Sequence, residues 1–157
     1  MAELDASKRK MGQEADLCVL TIYKLVSSKM FGDFQSERLA VQAGETIGRD
    51  LAAGKDTKAV PKLLTDFITK SGLGSVKFEM PKEKVERYEP LGIFRVAESA
   101  ETYGLAKVEK PCCGILRGII RGAFAGAYHQ ENISVKEIKC AALGEKECVF
   151  EAYWVPM

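Results

Sequence analysis

Glycine recurs at every fourth position across Pro111-Cys-Cys-Gly-Ile-Leu-Arg-Gly-Ile-Ile-Arg-Gly-Ala-Phe-Ala-Gly126, at 114, 118, 122 and 126. In a helix that spacing lines the glycines along one side as a ridge with no side chains. Each costs ~0.8–1 kcal/mol against alanine in a helix interior, so four in register mark a place that larger side chains would spoil. Close packing on a sheet is one use for such a ridge; the floor of an apolar pocket is another. A membrane dimerisation face is excluded, because Arg117 and Arg121 interrupt the stretch and no apolar run reaches the ~18 residues a span needs.

Four of the five cysteines lie at or beyond the start of this segment: Cys112, Cys113, Cys140 and Cys148. Cys140 and Cys148 are symmetric about Gly144, so a tight turn would set them opposite each other in a hairpin with Cβ atoms ~5 Å apart. That spacing suits shared metal ligation, and equally two inward-facing hydrophobes. Successive helical residues point ~100° apart, so only one of Cys112 and Cys113 is expected to face the hairpin. Thiols gathered from separated segments are what a tetrahedral zinc site needs. A redox pair is the competing use, although no CxxC signature stands behind it. Cys18 reads as a small core hydrophobe.

The 23 basic and 22 acidic residues nearly cancel, so no net field attracts nucleic acid. The polar start, MAELDASKRK, is not a secretory h-region, and residues 1–13 are expected to form a flexible tail before a single domain over 14–157. The expected compartment is the cytoplasm, where cysteines are more often ligands, catalytic thiols or core residues than disulfides. His129 is the sole histidine and reads as a helix-end residue; Glu79, Glu83, Glu86 and Glu89 read as solvated. No P-loop, dinucleotide fingerprint or HExxH motif is present, and no catalytic residue is assigned.

Apolar periodicity predicts helices over 14–31, 37–53 (with Ser36 as cap) and from Asp56 or Thr57 to Gly72. Leu39, Ala43, Ile47 and Leu51 stripe the second, with the small residues Ala40, Gly44 and Gly48 beside them. Two or three strands follow between 76 and 109. Pro111 then introduces the glycine helix, and strands near 132–142 and 147–155 close the chain. Helices and strands segregated in this order predict an α+β fold, with a mostly antiparallel sheet and the helices packed on it. The helix over 14–31 is apolar around much of its circumference, more than one helical layer can cover, which points to a homodimer.

Within 111–151 the chain resembles the 4-vinyl-reductase domain family, which includes archaeal hydrocarbon-binding proteins and sensor domains of aromatic-responsive activators and is a distant fold relative of transport-protein-particle subunits. The resemblance rests on a cysteine followed by Gly118 and Gly122, then Glu137-x2-Cys140-x7-Cys148, with Leu-Gly in the turn and Phe150 after the last cysteine. LAVQAGETIGRDL (39–51) is similar to the family's early helix. The resemblance implies a zinc ion held by Cys113, Glu137, Cys140 and Cys148, with Cys112 as alternate to Cys113. It also implies a neighbouring pocket for a small apolar molecule, for which Gly118, Gly122, Phe78, Phe94, Phe124 and Tyr128 are the candidate lining. A regular strand would put Glu137 and Cys140 on opposite faces, so shared ligation requires a β-bulge or an early strand end. With no flavin or nicotinamide motif, the implied role is a stand-alone sensor or carrier rather than a reductase. A thiol-based redox or metal-handling protein and an adaptor subunit of a larger complex are the alternatives.

Overall fold

The computed structural model describes residues 17–81, 88–105 and 108–155, with the side chains of 17–19 and 21 left undescribed. The expected 1–13 tail, the environment of Cys18, and Glu83 and Glu86 therefore lie outside the described residues. Three helices open the chain: α1 (Leu17–Phe31), α2 (Asp33–Ala52) and α3 (Val60–Lys70). Gly32, at φ +76°, makes the break between the first two, so α2 starts three residues before Ser36. Ser36 is thus not a cap; its hydroxyl instead lies 2.6 Å from that of Ser27 on α1. Asp56 does cap, accepting the Lys58 N–H at 2.8 Å at the head of a short 3-10 turn that leads into α3.

Strands β1 (Ser75–Glu79) and β2 (Glu89–Ala97) come next, then α4 (Gly114–Tyr128), β3 (Ile133–Lys139) and β4 (Cys148–Trp154). Four helices and one four-stranded antiparallel sheet, in the order β1-β2-β4-β3, make the fold α+β as the sequence pattern requires. Pro111 does not begin the glycine helix. Cys113 stands at its N-cap position and Gly114 is the first helical residue. His129 ends it in the left-handed conformation (φ 52°), its N–H bonded to the Ala125 carbonyl, which matches the helix-end reading.

The glycine ridge packs on a helix, not on the sheet. Gly118 and Gly122 face α2, where Gly44 and Gly48 face back. A methyl group added at Gly118 would sit 2.9 Å from both the Glu45 nitrogen and the Gly44 Cα, and closer still to the Val41 carbonyl. One at Gly122 would lie 2.8 Å from the Glu45 Cα. The two backbones touch, which only residues without Cβ atoms allow. Leu116, Ile119, Ile120, Ala123 and Phe124 on α4 are fully buried with Phe94 and Phe150 of the sheet and Leu64 and Ile68 of α3. Each of the larger of these side chains contributes ~1.5–3 kcal/mol by leaving water.

Candidate metal centre

The residues that matter most converge where the segment before α4 meets the end of the β3–β4 hairpin. One potential ligand atom from each of Cys113, Glu137, Cys140 and Cys148 lies within 4.8 Å of every other, and all four residues are buried. Cys113 and Cys148 bring their sulfurs to 3.5 Å. Zinc–sulfur bonds of ~2.3 Å at a tetrahedral angle put paired thiolates ~3.8 Å apart, so the spacing fits a metal ion. This buried cluster could hold a metal.

Local backbone explains how these residues meet. In the β3–β4 ladder Glu137 pairs with Phe150 and Lys139 with Val149, so Ile138 is the extra residue of a bulge. Ile138 and Lys139 both face out, which returns Glu137 and Cys140 to the same buried side. Cys140 and Cys148 are not direct cross-strand partners: Cys140 lies just beyond β3, while Cys148 pairs with Val96 of β2. A 3-10 turn over Ala141–Leu143, closed by Gly144 at φ +96°, folds Cys140 back toward Cys148. The Ala141 N–H points at the Cys148 sulfur at 3.4 Å, a donor suited to a thiolate.

Electrostatics give the carboxylate a distinctive state. One Glu137 oxygen accepts the Cys113 N–H at 3.0 Å. The other is buried with no hydrogen-bond partner. An orphaned buried carboxylate oxygen is costly unless a proton or a cation meets it. Burial, with help from the charge on Cys140, pushes the Glu137 carboxyl up to about 8. The Cys140 thiol is held far below its ordinary value by donors from Cys112, Cys113 and Cys148. Cys113 is pushed well up by its neighbouring thiols, Cys112 first, and by burial. Cys148 feels opposing effects: Cys113 lowers it, Cys140 and burial raise it, and the balance lies at about 12.

Both members of the Cys112–Cys113 pair face the hairpin, which corrects the expectation that only one could. They precede the helix, so the helical 100° rotation does not apply to them. The Cys112 sulfur lies 3.9 Å from that of Cys140, and Cys112 is half-buried where the other three cysteines of the cluster are buried. The Cys113 contact and Lys24 lower its thiol, but hydrogen bonding to Cys140, burial and the Cys140 charge outweigh them and leave it at about 12.

The candidate pocket lining is placed differently. Phe78, Phe94, Phe124 and Tyr128 do form a row, with successive ring centroids 5.2, 6.1 and 6.2 Å apart, but the row is packed core, with Phe94 and Phe124 fully buried. Gly118 and Gly122 are occupied by α2 rather than open to a cavity. The aromatic rings fill the space that a ligand would have needed.

Sequence reasoning missed Glu101 and Lys24. Glu101 is buried and accepts the N–H groups of Ile115 (3.0 Å) and Leu116 (2.7 Å), doing for α4 the work that its N-cap Cys113 does not. Lys24 of α1 lies 3.1 Å from the same carboxylate and donates to the carbonyls of Glu101 and Cys112, each at 2.8 Å. Burial raises the Glu101 carboxyl against the pull of Lys24. For Lys24, desolvation lowers the ammonium, but the charges of Glu101 and the neighbouring thiols together outweigh it and the net shift is upward. Their sequence separation of 77 residues leaves no local signal for the pair.

Comparison with known proteins now has a geometry to rest on. Residues 93–153 match the model of the vinyl-4-reductase domain family, the stretch that contains all the cysteine and glutamate spacing described above and the glycines of α4. No curated protein sequence matches the chain. Among solved structures, the phenol-responsive sensory domain of the transcription activator PoxR, determined with phenol, superposes with a TM-score of 0.72 at 16% identity, covering 92% of this chain and 77% of that one. A vinyl-4-reductase family protein from Methanocaldococcus jannaschii gives 0.65 at 19% identity, covering 94% and 86%. A trafficking protein particle complex subunit 3 from Naegleria fowleri, covalently bound to palmitic acid, gives 0.57 at 15% identity, covering 90% and 97%. At these identities the three likenesses establish the shared fold.

Proposed function

We propose, taking residues 93–153 as the vinyl-4-reductase domain they match, that this chain is a cytoplasmic module that holds one zinc ion and binds a small apolar molecule, as a sensor or carrier. The observation that carries the metal half is the convergence of Cys113, Glu137, Cys140 and Cys148 around the unpartnered Glu137 oxygen. Three sulfurs and one carboxylate suit zinc better than calcium or magnesium. Zinc, when bound, supplies a structural cross-link between the turn before α4 and the hairpin. The chain's own groups do the rest. The Cys113 N–H orients the carboxylate, the Ala141 N–H meets the Cys148 sulfur, and the Ile138 bulge sets the facing. The phenol-bound PoxR domain supports the small-molecule half through its shared fold.

A homodimer through α1 belongs to the same reading. Ile22, Val26, Met30 and Phe31 are 48–69% exposed on that helix, a large apolar surface for a monomer. Light scattering at micromolar concentration should return near twice 17.3 kDa; a clean monomer refutes the pairing. The competing thiol or metal-handling reading is favoured by one observation, the Cys112 sulfur 3.9 Å from Cys140. Elemental analysis of freshly purified, reduced protein, together with native mass spectrometry, separates the two. Stoichiometric zinc that resists competition, with a co-purified apolar molecule, supports the module. Labile metal or reversible oxidation supports the alternative, and absence of metal with melting unchanged by chelator removes the zinc.

A further inference from the structure

A cleft of about 590 Å³ opens between α1, α2, the 108–112 segment and the first turn of α4, on the side of α4 away from the aromatic row. We infer that this cleft is a binding site for a neutral, mainly apolar small molecule, with the Cys112 thiol in its wall. The inference rests on the small-molecule reading above and gives it a location that the sequence did not suggest.

Size and chemistry both point to that class of occupant. The volume falls within the ~300–1,000 Å³ of small-molecule sites. Tyr23, Leu25, Leu105, Val108, Pro111 and Ile115 supply apolar walls from three separate segments. The inner polar groups are already spent within the protein. Lys24 is engaged by two carbonyls and the Glu101 carboxylate. Glu37 is bound by Arg117 at 2.8 Å, Ser36 pairs with Ser27, and Asp33 takes the Ser28 hydroxyl. The remaining charges, Glu109 and Lys110, are exposed and opposite in sign. A charged ligand would find no free counter-charge inside, whereas an uncharged apolar one gains by leaving water.

Cys112 makes the inference testable without knowing the natural ligand. It is the half-buried member of the four cluster cysteines, and it lines the cleft while the other three are buried. The probe is N-phenyl-1-naphthylamine, a neutral fluorophore of fitting size, titrated into the full reduced chain. The rate of Cys112 alkylation by N-ethylmaleimide is then followed by peptide mass spectrometry with and without probe. Saturable fluorescence at one probe per chain is expected, with Cys112 alkylation slowed about tenfold when free probe is about ten times its Kd, as mass action requires. Ile115→Trp, checked for folding by circular dichroism, should weaken the probe by filling the cleft. Saturable binding that leaves Cys112 alkylation unchanged overturns the location while leaving the small-molecule reading intact. No saturable binding overturns both. Protection that grows with protein concentration in the absence of probe means that a second copy covers the cleft, and this too overturns the inference.

Discussion

Replacing Gly118 by alanine adds one methyl group where two helix backbones already touch. The new carbon would lie 2.9 Å from the Glu45 nitrogen and from the Gly44 Cα, and nearer still to the Val41 carbonyl oxygen. Ordinary carbon contacts begin near ~3.5 Å, so α2 would have to retreat by roughly 0.5–1 Å. The atoms in the way are backbone of a continuous helix, so no rotamer change relieves the overlap. Overpacking of a tight core costs ~1–3 kcal/mol, and rigid neighbours place this site at the upper end. Alanine returns ~0.8–1 kcal/mol of helix propensity. The net is a loss of about 2 kcal/mol, or about 4–8 °C in Tm for a chain of this size. Gly126 provides the internal control, since its added methyl would meet the Arg49 backbone at 3.1–3.2 Å and needs a shift of only a few tenths of an ångström. Urea denaturation of the two variants decides the matter. Gly118→Ala as stable as wild type, or Gly126→Ala equally damaging, would refute the claim that backbone contact is what these glycines are for.

Metal affinity should depend steeply on pH. Binding must release the protons held by Cys113, Cys148 and, below about 8, Glu137, so apparent affinity should rise by about three powers of ten per pH unit below that point and by about two above it. Competition with a chromogenic chelator across roughly pH 6–9 measures the slope, and a slope of one would sink the assignment of ligands. Deleting Ile138 removes the bulge and turns Glu137 and Cys140 to opposite faces, so metal should be lost while the far end of the hairpin stays folded; isotope exchange and elemental analysis check both. Glu101→Ala strands Lys24 and two helix N–H groups in a buried setting, with an expected cost of ~3–5 kcal/mol by denaturant titration. Glu101→Gln, which keeps an acceptor for the helix, should lose less.

Much of this is legible in the sequence because periodic patterns report faces. The helices, the sheet's antiparallel character and the four-residue ligand set all follow from spacing or from family resemblance. The bulge is legible only as a requirement: three residues separate Glu137 from Cys140, and an odd step in a strand cannot place both inward. The glycine ridge is visible, but its partner is not. Gly44 and Gly48 carry the same spacing within α2, and only tertiary structure brings the two stripes together. The aromatic lining fails for a related reason. Phe94 and Phe124 do belong to one region, yet sequence does not distinguish rings that surround a space from rings that fill it. Glu101 and Lys24 are illegible, since each is an ordinary charged residue whose role exists only across the fold.

The glycine contact also bears on where this domain can be cut. The family match begins at residue 93, partway along β2, and ends at 153. Half of the helix-to-helix contact, Gly44 and Gly48, lies upstream of that boundary, as do β1 and the aliphatic residues of α3. A fragment trimmed to the matched stretch would keep all four candidate ligands yet leave a bare backbone groove on α4 facing water, with no side chains of its own to cover it. The recognisable part of the sequence is therefore smaller than the unit that can fold. Expression fragments, domain transplants and fusion junctions should be set by the reach of α2, not by the limits of the matched region.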